Sequence, residues 1–68
     1  MKTISGKELA NLLEKKGWEL KNTKRSHHVY MKAGNPARIS IPIHGNKSLK
    51  IALLRHFLKI ADIEEKDL

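Results

Sequence analysis

The chain has 68 residues, no cysteine, and fourteen Lys and Arg against seven Asp and Glu, a net charge of +7 with histidine counted as neutral. That length predicts one domain over residues 1–68, whose small core buries roughly 60% of the unfolded chain's surface. The cysteine count excludes disulfides and thiolate metal sites, and MKTISGKELA has no apolar run of signal-peptide or membrane-span length, so the expectation is a cytoplasmic protein with no membrane partner.

Ser5-Gly6-Lys7-Glu8 has the spacing of a capping box, and Ile4 and Leu9 are spaced as a hydrophobic staple around it. Leu9, Leu12 and Leu13 continue an amphipathic helix over residues 6–16, which Gly17 ends. Trp18 and Leu20 alternate with Glu19 and Lys21, the pattern of a short strand with one buried face, and residues 22–24 read as a polar connection. Residues 28–32 form the second strand, with Val29 and Met31 on one face and His28, Tyr30 and Lys32 on the other.

Ala33-Gly34-Asn35-Pro36 is a turn signal. Residues 38–43 alternate again: Ile39, Ile41 and Ile43 point one way, Arg38 and Ser40 the other, and Pro42 marks an edge strand or its end. After the loop His44-Gly45-Asn46-Lys47, Ser48 can cap a second helix whose apolar face is Leu49, Ala52, Leu53, Leu54, Phe57, Leu58 and Ala61. Residues 62–68, DIEEKDL, add a turn or fray. The result is an α+β order, α-β-β-β-α, with each strand carrying one apolar face. A three-stranded antiparallel sheet with two helices on one face buries all of it, and that layout resembles small double-stranded-RNA-binding-domain-like folds.

Charge is unevenly spread. Residues 62–68 carry four acids and one Lys, a net of −3, so residues 1–61 carry thirteen bases against three acids, a net of +10. A small domain with that excess attracts polyanions, and nucleic acid leads as partner; the plain alternative is a Lys-rich solvated surface. An anionic membrane fits less well, because the bases are spread over several elements rather than along one helix face.

Four histidines need a reading: His27, His28, His44 and His56. No two are three or four residues apart on a helix, and neighbours on a strand point to opposite faces, so no metal site is expected. His56, with Arg55 and Lys59, reads as solvated. His27 shares strand parity with Val29 and Met31, and the plain reading is a partly buried histidine at a strand entry. Yet beside Lys24, Arg25 and Ser26 its imidazole is held by the sheet and open to a ligand, and an imidazole takes or gives a proton near neutral pH. RNA brings its own nucleophile, the 2′-hydroxyl. Removing that proton, neutralising the phosphate and protonating the leaving oxygen requires no metal and little beyond a histidine and cations. A Ser-His-acid triad does not fit, since Ser26 and His27 are adjacent on opposite faces with no acid to orient the ring. A phosphate could rest on the amides around residues 45–48 with Lys47 alongside; an ordinary polar loop explains them as well.

The segments GKELANLLEKKGWEL, RSHHVY and ISIPIHGNKSLKIALLRHFLKIADI together resemble the HicA family of toxins, over nearly the whole chain. The resemblance is most specific in the Ser26-His27-His28 and Pro42-x-His44 segments and in the closing helix. It implies a double-stranded-RNA-binding-like fold, cleavage of messenger RNA by a histidine in a Gly-Ser-His motif, and neutralisation by a HicB-type antitoxin. That motif's histidine falls on His27. Its glycine position is Arg25 here: glycine permits a positive φ or a close backbone approach, whereas Arg at such a φ is costly and offers a planar fork of donors to a phosphate instead.

The expectation is therefore a metal-independent endoribonuclease without a small-molecule cofactor. His27 is its general acid or base, and Lys24, Arg25, Ser26, His28, Lys32, Arg38, His44, Lys47 and Lys50 are candidate RNA contacts. The alternatives are a non-catalytic RNA-binding module on the same basic surface, or a toxin attenuated by Arg25.

Overall fold

In the computed structural model, which describes residues 2–68, the first helix begins as its spacing predicts. The Ser5 hydroxyl accepts from the Glu8 amide at 3.1 Å, and the Ser5 amide donates back to the Glu8 carboxylate at 3.1 Å. Two of the amides left unpaired at a helix start are thereby satisfied, and α1 runs Gly6–Lys15. It ends in a left-handed Gly17 (φ 95°), with the Gly17 amide on the Glu14 carbonyl at 3.2 Å and the Trp18 amide on the Leu13 carbonyl at 2.9 Å. This paired closure folds Trp18 back beside Leu13, and both are buried.

Three strands follow: β1 (Glu19–Lys24), β2 (His27–Lys32) and β3 (Asn35–Pro42), antiparallel in the order β1-β2-β3. Residues 22–24, read as a connection, are thus part of β1. Pro42 is the last residue of an edge strand, where its missing donor does least harm. Helix α2 spans Ile51–Ala61 and closes like α1, through a left-handed Asp62 (φ 56°) and an Ile63 amide on the Leu58 carbonyl at 3.0 Å. A short 3-10 turn, Glu65–Asp67, follows. Among the described residues, no helix is long and apolar enough to cross a membrane.

Ser48 is not the cap of α2. Lys50 precedes the helix without a side-chain cap, while Ser48 pairs with Ser5 as a β-bridge and the Leu49 amide donates to the Ile4 carbonyl at 2.8 Å. The chain entering α2 is held extended against the chain entering α1, so the helix starts two residues later than a Ser48 cap requires.

Both helices pack on one face of the sheet. Leu9 and Leu13 from α1 and Leu54, Phe57 and Leu58 from α2 meet Tyr30, Ile39 and Ile41, with Trp18 and Ile63 closing the cluster. Gly6 permits the closest approach, since a Cβ there would collide with the Pro42 carbonyl oxygen and press on Ile41 and Ile43. On β2 the buried face is the reverse of the one hydrophobicity suggests: Tyr30 is 2% exposed, while Val29 and Met31 lie half-buried on the other side. Tyr30 pairs with Ile39, and its hydroxyl reaches the rim to donate to Glu14 Oε2 at 2.8 Å. The ring is buried and its polar tip satisfied. Burial, then the Glu14 hydrogen bond and charge, push the Tyr30 pKa up to about 12.

β1 is exposed along its whole length, and Leu20, opposite Tyr30, is 46% exposed at the sheet's rim. The regular ladder breaks between Leu20, opposite Tyr30, and Asn22, opposite Val29. Lys21 is the extra residue of a bulge, and a bulge shifts the side-chain alternation beyond it by one.

Candidate active site

With the helices on the Tyr30 side, the opposite face of the sheet is open. It holds a shallow cleft of about 560 Å³ lined by Asn22, Lys24, Arg25, His27, Val29 and Ser40. All are exposed except Val29, which is half-buried. The bulge at Lys21 brings β1 into this group. Uninterrupted alternation from buried Trp18 would put Leu20, Asn22 and Lys24 on the helix side. The bulge leaves Leu20 there and turns Asn22 and Lys24 to the open side, opposite Val29 and His27.

Lys24 and His27 close a two-residue hairpin, and the loop residues are Arg25 and Ser26. Arg25 has φ 56° whereas Ser26 does not have positive φ. A positive φ at this loop residue favours glycine there. Arg at a left-handed φ costs about 1 kcal/mol, and it presents an exposed guanidinium beside the cleft. The Ser26 carbonyl accepts from the Ile43 amide at 2.7 Å, tying the turn to the end of β3.

That tie also brings the His44 loop to the same end of the sheet. His44, Lys47 and Lys50, with Pro42, Ser48 and Leu53, line a second cavity of about 310 Å³. The Lys47 amide closes the loop on the His44 carbonyl at 3.1 Å. Because α2 starts only at Ile51, the amides of residues 45–48 are not its N-terminal amides, and a phosphate seated on a helix start there does not apply. Lys24, Arg25, Ser26 and His27, then, share one end of the molecule with His44, Lys47 and Lys50.

The other candidates lie apart. His28 is half-buried on the helix side, opposite Thr23 and Ile41. Arg38 is exposed, and its parity with Ser40 puts it on the open face, further from His27. Lys32 is at the far end of β2, roughly 17 Å along the strand from His27, and its side chain lies over Gly17. His56 is exposed on α2, its ring 5.9 Å from that of Phe57.

No carboxylate lines the His27 cleft. The acidic tail folds back along the helix side, with Asp67 Oδ1 3.8 Å from Lys16 Nζ, and Glu65 and Leu68 beside Lys2, Thr3, Ile4 and Glu8. Exposed pairs of this kind add little stability, but the arrangement keeps the charge of Asp67 and Glu65 away from the open face. Among the described residues, no three His, Asp or Glu side chains are grouped as ligands for a metal ion.

Three residues of the cleft, Asn22, Val29 and Ser40, are not among the sequence candidates. By sequence Val29 belongs to the apolar face of its strand, while Asn22 falls in a polar connection and Ser40 at a plain outward-facing position. The signal for all three is the cross-strand register, which hydrophobic alternation does not contain.

No curated protein matches the chain. Against known families, residues 6–63 match the HicA toxin of bacterial toxin–antitoxin systems. The match spans α1, all three strands and α2, and it contains both basic clusters. The chain belongs to the HicA toxin family.

Proposed function

We propose that this toxin is an endoribonuclease that cleaves messenger RNA, with His27 as its general base. The observation that carries the reading is the position of His27. Its side chain is exposed on the open sheet face, held between two strands, with Lys24 directly across the hairpin and Arg25 in the turn. RNA laid on this face brings a phosphate to the two cations and a 2′-hydroxyl to the imidazole.

The imidazole takes the 2′-hydroxyl proton, and the 2′-oxygen attacks the adjacent phosphorus. The bond from phosphorus to the 5′-oxygen breaks, and that oxygen takes a proton from solvent in the open cleft. Lys24 and Arg25 stabilise the charge that develops on the phosphoryl oxygens. The products are a 2′,3′-cyclic phosphate and a 5′-hydroxyl, and the reaction uses no metal or small-molecule cofactor. His44, Lys47 and Lys50, at the same end, supply further phosphate contacts. This reading puts the chain in the cytoplasm, where messenger RNA is. The antitoxin implied by the family pairing is on this reading of HicB type, presenting an acidic surface that covers the open face and excludes RNA.

End-group analysis tests the chemistry. Fragments should carry 2′,3′-cyclic phosphate ends, and an RNA with a 2′-deoxy sugar at the cut position should survive. Fragments with 5′-phosphate ends, made only with added Mg²⁺, would overturn the mechanism. RNA binding without cleavage would favour the non-catalytic module.

A further inference from the structure

The open face carries two cross-strand rows beside the hairpin. One is Lys24, His27 and Pro42; the next is Asn22, Val29 and Ser40. They are two residues apart along the strands, roughly 7 Å, and each spans roughly 10 Å across three strands. The first row is cationic and holds the imidazole. The second is uncharged, with a half-buried Val29 between two exposed groups that each offer a donor and an acceptor.

We infer that the row Asn22–Val29–Ser40 is a base-reading subsite, which holds the nucleobase next to the phosphate at His27 and gives the toxin its sequence preference. The inference rests on the nuclease reading for its substrate class, single-stranded RNA. Three observations carry it. The bulge at Lys21 turns Asn22 into the cleft, and bulges beside functional sites re-aim side chains in this way. Among the described residues, neither the Asn22 amide nor the Ser40 hydroxyl is hydrogen-bonded within the protein, so both are free for a ligand. Val29 offers a small apolar floor on which the face of a base can lie, and unstacked bases of single strands are read by hydrogen bonds along their edges. Cations cannot supply this selectivity, because phosphate contacts position a strand without reading it.

The test is to cleave a pool of random single-stranded RNA and sequence the ends. The wild type is compared with Asn22→Ala, Ser40→Thr and Ser40→Val. The wild type should favour one base at a position flanking the cut by ~10-fold or more, the scale of a hydrogen-bonded base contact. Asn22→Ala and Ser40→Val should lose most of that preference at that position alone. Ser40→Thr, which keeps the hydroxyl, should retain it. A Ser40 role confined to strand packing would not separate Thr from Val, since both branch at Cβ.

A second arm selects RNA from the same pool by binding to His27→Ala, with and without Asn22→Ala. A base preference in binding that depends on Asn22, in a chain whose wild type never cuts, would sink the nuclease reading and leave the subsite standing. Cleavage with no base preference, or with a preference that all three substitutions leave intact, overturns the subsite. So does a uniform loss of rate at every sequence.

Discussion

Lys24 and His27 face each other across the β1–β2 hairpin on the open side of the sheet, and Arg25 between them takes a left-handed φ of 56°. A cation and an imidazole are therefore held side by side by backbone pairing, at the cost of one strained residue. The strain and the charge of Arg25 can be separated by mutation.

Arg25→Gly should raise stability. Relief of the left-handed φ gains about 1 kcal/mol, and the greater freedom of an unfolded glycine takes back about 0.5 kcal/mol. The net expectation is a urea midpoint shifted upward by a few tenths to 1 kcal/mol equivalent. RNA affinity should fall in the same variant through loss of the guanidinium. A lower midpoint would show that Arg25 has contacts offsetting its backbone cost.

Lys24→Ala should weaken RNA binding uniformly across sequences and flatten its salt dependence. Each phosphate contact on a single strand contributes about −0.7 to the slope of log affinity against log salt. Titrations from low to physiological salt measure it. An unchanged slope would remove Lys24 from the phosphate contacts.

Gly6→Ala sets helix propensity against packing. Alanine favours the helix by up to about 1 kcal/mol, but its Cβ would meet the Pro42 carbonyl oxygen and force α1 off β3. Overpacking of this kind costs about 1–3 kcal/mol, so packing wins and the midpoint should drop. A variant as stable as wild type would mean that α1 can shift freely on the sheet.

Tyr30 is the chain's one tyrosine, so its ionisation is read directly from tyrosinate absorbance. Its folded pKa is pushed up to about 12, above an unfolded value of 10.0. The folded state therefore keeps the proton longer than the unfolded state. This contribution is complete below pH 10 and is lost as pH rises through about 12. Wild type should lose more stability over that window than Tyr30→Phe. Titration of the folded chain near pH 10 would show that the ring is wet and its bond to Glu14 absent.

These contacts also show which features were legible beforehand. The capping box at Ser5, the Gly17 stop and the isoleucine alternation of β3 are local patterns, and they were read correctly along with the helix–strand order. The face of β2 was not, because Val29 and Met31 are more hydrophobic than Tyr30 by composition. What decides the face is that Tyr30 can reach Glu14 with its hydroxyl while its ring fills the space under α1, a relation between residues 16 apart. Ser48 was misread for a similar reason: its backbone is claimed by Ser5 in another part of the chain. At the site, His27 with Lys24 and Arg25 was visible as a cluster in sequence. Asn22 and Ser40 were not, since their meeting depends on the extra residue at Lys21, and nothing in the run ELKNTK announces a bulge.

The most direct measurement is cleavage of a single-stranded RNA in EDTA by the purified wild-type chain beside His27→Ala. Because His27 is exposed, the variant should fold as the wild type does, with unchanged tyrosine and tryptophan spectra. The account predicts that the wild type cuts, that the variant loses at least ~100-fold in rate, and that both bind the RNA with similar affinity. Equal cleavage by the two proteins, or cleavage by neither despite binding by both, would contradict a nuclease centred on His27.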